Sequence, residues 1–206
     1  KKKTESDRSK KTRKIRIKRK NTGSQKALVK IIEPSDLKGV ALLSVHSGSD
    51  EDQWLYLPSA KRSRRILGSN KKGKFLDSDL SYEDMRISTY NQFKNTIKKT
   101  LKKGKQKVVL IESLAKSDQD SSYSKILTWV SLPSHRVEKA EYYGPDGKIL
   151  KVMSFKKYKK FGKQLWRART VHVKNVRENR ATTLELKKLS LKSLKDDEFS
   201  MAALEE

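Results

Sequence analysis

The chain has no cysteine, which removes disulfide frameworks and thiol chemistry and suits a reducing or an oxidising compartment alike. No window approaches the ~18 continuous apolar residues of a membrane-spanning helix. The opening Lys1–Lys3 is not followed by the apolar stretch of a signal peptide. Histidine is scarce: His46, His135 and His172 stand far apart, without the spacing of a metal-ligand set. Also missing are a glycine-rich phosphate loop and a Gly-x-Ser-x-Gly elbow. The acids Asp77, Asp79, Glu83 and Asp84 lack the spacing of a calcium loop, and helix capping accounts for Asp84. The chain is therefore read as a non-enzyme, with no catalytic residue, cofactor or metal expected.

Negative charge is the other shortage. The sequence sets 24 Asp+Glu against 50 Lys+Arg, a formal charge of +26, which calls for a polyanion or an anionic surface as partner. Twelve of the first twenty residues are Lys or Arg, and further clusters fall at Lys98–Lys107 and at Lys156–Lys163, interleaved with Tyr158 and Phe161. Cations with aromatics would serve sequence-independent binding to phosphate backbones. No RNP-like, zinc-finger or helix-turn-helix pattern accompanies them, however, so a specific nucleic-acid partner is not expected. Over Thr12–Lys20 the cations alternate with Ile15 and Ile17, which fits a strand with a solvated face.

What is present in quantity is strand. The 206 residues suit one domain, and the apolar residues fall in short dense runs such as Val40–Leu43, Val108–Ile111 and Ile126–Val130. Turn residues punctuate the chain at Asn21–Ser24, Pro34–Asp36, Ser47–Asp50, Lys102–Gly104, Leu132–Ser134 and Gly144–Gly147. That rhythm is the mark of an antiparallel all-β protein. The three apolar runs are hydrophobic at successive positions, so those strands bury both faces, whereas an antiparallel sheet normally wets one. A second sheet, helices or an apolar ligand must cover the other side. Leu184 and Leu186 have the opposite parity to Leu189 and Leu191, which predicts a bulge near Lys187-Lys188.

Two segments carry helical signals. Ser81-Tyr82-Glu83-Asp84 has capping-box spacing, with Asp in place of the usual Glu, and starts at most a short helix. Tyr90, Phe93, Ile97 and Leu101 stand at helical spacing, yet the last three also share strand parity, and periodicity leaves the choice open.

The succession of elements in the middle of the first half is more specific. Trp54-Leu55-Tyr56-Leu57-Pro58, the basic Arg64-Arg65-Ile66, Gly68-Ser69, then Ser78-Asp79 and Ser81–Asp84 resemble the LolA-like outer-membrane lipoprotein-sorting family of Gram-negative bacteria. Upstream Ile32–Gly39 and downstream Val137–Tyr143, Asp146–Lys148, Trp166 and Phe199–Leu204 follow in matching order, so the similarity runs from about Thr12 to the C-terminus.

The resemblance implies a mainly β fold, a curved antiparallel sheet or half-barrel with a few short helices covering its concave apolar face. Residues 1–11 would be a flexible basic leader and residues 12–206 a single lipid- or lipoprotein-binding domain. It makes Gln92–Leu101 and Gln106–Ala115 a hairpin. It also implies a periplasmic carrier that shelters lipoprotein acyl chains or another lipid and helps deliver them to the outer membrane, its signal peptide removed before residue 1. An inner-membrane transporter and an outer-membrane acceptor would be its partners. An envelope lipid or stress sensor of the same fold, acting on a membrane-anchored protein, is the alternative within the family. A basic nucleic-acid-binding β-protein is the alternative outside it. For the carrier, the groove-lining candidates are Trp54, Tyr56, Trp129, Tyr143, Met153, Phe155 and Trp166, and the candidates for a head-group or docking patch are Arg62, Arg64 and Arg65.

Overall fold

The computed structural model describes residues 11–21, 25–47, 50–86, 93–104, 106–116, 121–162 and 165–206. The basic leader apart from Lys11, the turn residues Thr22–Ser24, and Tyr90 with Gln92 lie outside the described residues.

Strands β1 (Lys14–Lys20), β2 (Gln25–Glu33), β3 (Ala41–Ser47), β4 (Asp50–Leu57) and β5 (Arg62–Arg65) pair in chain order as one sheet. Strands β6 (Phe93–Lys103), β7 (Gln106–Ala115), β8 (Lys125–Leu132), β9 (Arg136–Tyr143), β10 (Ile149–Phe161), β11 (Leu165–Asn175) and β12 (Arg180–Glu185) form a second, also in chain order. Every pairing is antiparallel. Helix is confined, among the described residues, to α1 (Met201–Glu205) and short 3-10 turns. The fold is therefore mainly β with few short helices, as the strand rhythm required. The segment with ambiguous periodicity is strand β6, hairpinned to β7 through Gly104 at φ 60°.

The chain packs as two compact units. One joins β1–β5 to the C-terminal stretch Leu194–Glu206, and the other is Leu67–Ser193. In the first unit, register places Leu28, Leu43, Trp54 and Arg65 in one cross-strand row. Arg16 pairs with Lys30, Lys18 with Leu28 and Lys20 with Lys26, so these three cations of β1 stand on this same face. The C-terminal stretch lies over it, burying Phe199 and Leu204 against Leu28, Ala41 and Leu43, with Val45, Trp54 and Tyr56 packed alongside. The face is thus not simply solvated, as the alternation suggested. Lys18 bonds Glu198 at 2.8 Å, while Lys20 and Lys26 both bond Asp196, at 2.9 and 2.7 Å. Ile17, on the other face of β1, is an apolar residue left 54% exposed. Val40–Leu43 is buried throughout, so β3 at the centre of this sheet is dry on both sides as its apolar run required. Gln53 and Ser44, opposite one another on the second face, are buried and share a hydrogen bond of 3.2 Å.

The hydrogen bonds from Lys26 and Lys20 hold the Asp196 carboxyl down to about 2, below its ordinary 3.8. A folded-state value below the unfolded one means a contribution that is complete above pH ~4 and lost as pH falls towards 2. Acid titration of a Trp129→Phe/Trp166→Phe protein, followed by the fluorescence of Trp54, should therefore show the C-terminal stretch loosening across that interval. In Asp196→Asn the step should vanish.

In the second unit β12 ends at Glu185. After Leu186 N–H bonds the Arg169 carbonyl at 2.8 Å the chain leaves the sheet, and residues 187–195 have no regular structure. The parity change at Lys187-Lys188 is therefore not a bulge but the end of the strand. Leu189 and Leu191 alternate without a ladder to face, and Leu191 is 59% exposed.

Candidate functional site

One feature of the seven-stranded sheet follows directly from its registers. Thr182, Val173, Met153, Ala140, Thr128, Ile111 and Ile97 are successive direct partners, a single row crossing all seven strands. At ~4.8 Å per strand the row spans roughly 29 Å. Its side chains grade from dry to wet: Val173 is 0% exposed, Met153 6%, Ala140 3%, and Ile97 67%. Phe155, two residues along β10, shares this face and pairs with Val171, which pairs in turn with Leu184.

The dry end has a lid made from Phe75–Met85. Leu80 and Met85 pack there against Met153, Val173, Tyr142, Phe155, Val171 and Leu184. The segment folds on itself first: Phe75 N–H bonds the Leu80 carbonyl at 2.7 Å, and the Phe75 and Tyr82 rings meet edge to face at 5.7 Å. The capping box forms as spaced. Ser81 N–H donates to Asp84 Oδ2 at 2.7 Å and Asp84 N–H to Ser81 Oγ at 3.2 Å, opening a 3-10 turn at Glu83–Met85.

Polar pins then fix the segment to the sheet. Asp79 N–H donates to Thr182 Oγ1 at 3.0 Å, whose hydroxyl donates to Asp79 Oδ2 at 2.7 Å, and Arg180 bonds Asp77. Glu83 accepts from the Ser121 hydroxyl and from Ser122 N–H. Asp84 accepts from Tyr123 Oη–H at 2.9 Å and from Lys151 Nζ. Lys151 and Asp84 expose only 7% and 3% of their side chains. Burial lowers the Lys151 pKa, with the Asp84 charge opposing it. Burial, then Asp84, drives the Tyr123 hydroxyl strongly upward, so it stays a proton donor. The Ser78-Asp79 and Ser81–Asp84 signature thus has a physical role as the fastener of a lid.

The sequence-selected lining residues fall in three places. Met153 and Phe155 are under the lid. Trp129, Tyr143 and Trp166 occupy the opposite face of the same sheet: Trp129 pairs with Lys139, next to the Ala140 that faces Met153, and Tyr143 follows the Tyr142 that faces Lys151. Trp166 pairs with Lys160, whose parity on β10 is opposite to that of Phe155. Each of these rings has a cation over it. Lys139 Nζ is 4.8 Å from Trp129, Lys125 Nζ 4.3 Å from Tyr143, and Arg136 Cζ 4.9 Å from Trp166. Burial, with Glu141 accepting the hydroxyl proton at 2.7 Å, pushes Tyr143 up to about 12. Trp54 and Tyr56 belong to the first unit, half-buried beside the C-terminal stretch.

The arginines divide as well. Arg65 pairs with Trp54, lies 5.9 Å above its ring and donates through Nε to Asp52 at 2.9 Å. Arg62 and Arg64 pair with Leu57 and Leu55 on the other face and are exposed.

Sequence reading overlooked Lys151 and Tyr123. The signal for Lys151 is its parity: it shares a face with Met153 and Phe155, a lysine pointing where the strand is otherwise apolar. Among the described residues no group of three or more His, Asp or Glu could hold a metal, and no helix is long and apolar enough to cross a membrane.

Comparison with known proteins places this architecture. The model of a family described as "Uncharacterized protein" matches residues 23–206. No curated protein sequence matches. A solved structure described as an outer membrane lipoprotein-sorting protein domain, from Vibrio parahaemolyticus, is 32% identical, with 95% of this chain and 85% of that one covered and a TM-score of 0.88. A DUF1329 family protein from Desulfovibrio piger shares the fold at 24% identity, TM-score 0.78, over 93% and 82% of the two chains. A LolA superfamily protein from Nitrosomonas europaea shares it at 19% identity, TM-score 0.70, over 92% and 88%. Sequence identity of 32% with the first over nearly the full length shows that the chain belongs to the outer-membrane lipoprotein-sorting protein family, with a fold it shares with the LolA superfamily.

Proposed function

We propose that the protein is a non-enzymatic periplasmic carrier that shelters the acyl chain of a lipoprotein or another lipid and helps pass it to the outer membrane. The observation that carries this reading is the apolar row from Met153 through Ala140 and Thr128 to Ile111 and Ile97, covered at one end and 67% exposed at Ile97. Hiding an acyl chain from water is worth about 0.8 kcal/mol per methylene, so a chain of about fourteen methylenes seeks roughly 11 kcal/mol of apolar shelter. A row that begins under the pinned lid and ends open supplies an entrance and a dry interior on rigid strands. Met153 and Phe155 line the inner end, and Ile97 and Ile111 the mouth. On the first unit, the exposed Arg62 and Arg64 form a separate cationic patch for an anionic surface. An inner-membrane donor and an outer-membrane acceptor are the partners such a carrier requires.

Native mass spectrometry of protein purified from its own periplasm should find a bound acylated species. In solution, a fluorescent fatty acid should bind, and Ile97→Asp should weaken it about tenfold to a hundredfold, the apolar burial of one large side chain. Because Ile97 is exposed, the variant should fold normally. Protein that is consistently empty and takes up no probe would overturn the carrier reading.

A further inference from the structure

The face of the seven-stranded sheet turned away from Met153 carries a different chemistry. Four aromatic residues stand on it, Trp129, Tyr143, Tyr158 and Trp166, all half-buried. Lys139, Lys125 and Arg136 sit across their rings, Arg136 serving both Trp166 at 4.9 Å and Tyr158 at 5.6 Å. The exposed Lys156, Lys160 and Lys174 share the face by register. Of its carboxylates, Glu112, Glu141 and Glu185 are bonded to Lys98, Lys139 and Lys187, and Glu138 accepts from Ser131, so the remaining cations leave the face positive. Hydrogen bonds from Lys139 and Tyr143 outweigh burial and hold the Glu141 carboxyl below its usual range, so that it stays an anion fixing these two groups.

We propose that this face docks the protein onto the surface of an anionic phospholipid membrane. Two kinds of group are wanted at a bilayer surface. Trp and Tyr, apolar in body and polar at the tip, settle at the level of the head groups, and Lys and Arg pair with lipid phosphates. Here both kinds occur together on one face of rigid strands. The same composition on a sheet would serve single-stranded nucleic acid, but base stacking needs open ring faces. These rings are half-buried with a cation across each, so the face offers charge outward and aromatic edges beneath it. The docking is independent of the acyl row, which lies on the other side of the sheet.

The three tryptophans make the test direct, since two of them are on this face and Trp54 is in the other unit. Trp54→Phe and Trp129→Phe/Trp166→Phe proteins would be mixed with phosphatidylcholine vesicles containing brominated phosphatidylglycerol. Strong quenching is expected in the first protein and little in the second. Separately, Lys125→Gln/Arg136→Gln/Lys139→Gln should weaken vesicle binding by about fivefold per cation, on the order of a hundredfold. Lys38→Gln/Lys61→Gln/Lys148→Gln, equal in charge change and placed elsewhere, should stay within about fivefold.

Equal quenching of the two tryptophan variants, or equal losses in the two charge variants, would reduce the effect to diffuse polycation attraction and overturn the proposal. So would a single-stranded oligonucleotide that quenches Trp129 and Trp166 at ~0.2 M salt while the vesicles do not. If the glutamine variant fails to fold by circular dichroism, the conservative phenylalanine pair decides alone. Fatty-acid uptake by the same proteins should be unchanged, which separates this outcome from failure of the carrier reading.

Discussion

Lys151→Met is expected to destabilise the protein by about 3–5 kcal/mol, the cost of leaving a buried charge without its partner. The carboxylate left behind, Asp84, exposes 3% of its side chain and retains only the Ser81 and Tyr123 donors. Urea unfolding followed by circular dichroism measures the loss. The double variant Lys151→Met/Asp84→Asn removes both charges, keeps a side-chain oxygen to accept from Ser81 N–H, and should recover more than half of it. A single variant within ~1 kcal/mol of wild type would mean that water reaches the pair. The native pair should also show its own pH response. Folding lowers the Lys151 pKa from 10.5, so the unfolded chain holds that proton more tightly, and stability from this group rises with pH between the lowered value and 10.5.

Phe199→Ala is the second large effect, about 3–5 kcal/mol by the loss of a buried aromatic ring and the cavity it leaves. Phe199 is 3% exposed, and with the fully buried Leu204 it closes the core over Leu28, Ala41 and Leu43. Leu204→Ala should cost about 2–5 kcal/mol on the same grounds. Met201→Ala, on the exposed side of α1 at 38%, should stay within about 0.5 kcal/mol. Unfolding monitored at Trp54, in a Trp129→Phe/Trp166→Phe background, reports all three. A Phe199→Ala protein with an unchanged midpoint would show that the C-terminal stretch rests on the sheet without completing it.

These two sites differ in how far the sequence discloses them. Strand positions were legible because a two-residue period and turn residues are local properties, and the capping box at Ser81 and Asp84 formed as its spacing required. The choice between helix and strand for Phe93–Leu101 was not local, since Phe93, Ile97 and Leu101 satisfy both periods, and the hairpin partner β7 decides it. Parity could select Met153 and Phe155 as a pair, but not the face on which Trp129, Tyr143 and Trp166 would stand. The register shifts between Trp129 and Val130 and between Ile149 and Lys151 alter that relation, and a bulge leaves almost no mark in composition. The lid was visible only as a cluster of acids, a capping box and a stretch of the family resemblance. That its carboxylates meet Lys151, Thr182 and Arg180, residues 67 to 103 positions away, is a property of the folded sheet alone.

The division of the first unit between the two ends of the chain bears on how the molecule is made. Strands β1–β5 are made before Leu67–Ser193, and Phe199 and Leu204 only after it. At about 5–20 residues per second, the five-stranded sheet waits on the order of ten seconds for the side chains that close its core. During that interval the whole of Leu67–Ser193 is synthesised. Meanwhile Trp54, Tyr56 and Leu43 stay uncovered beside Lys18, Lys20 and Lys26. The cations that will later grip Asp196 and Glu198 thus have an earlier use, keeping an unfinished apolar surface soluble by like-charge repulsion between nascent chains.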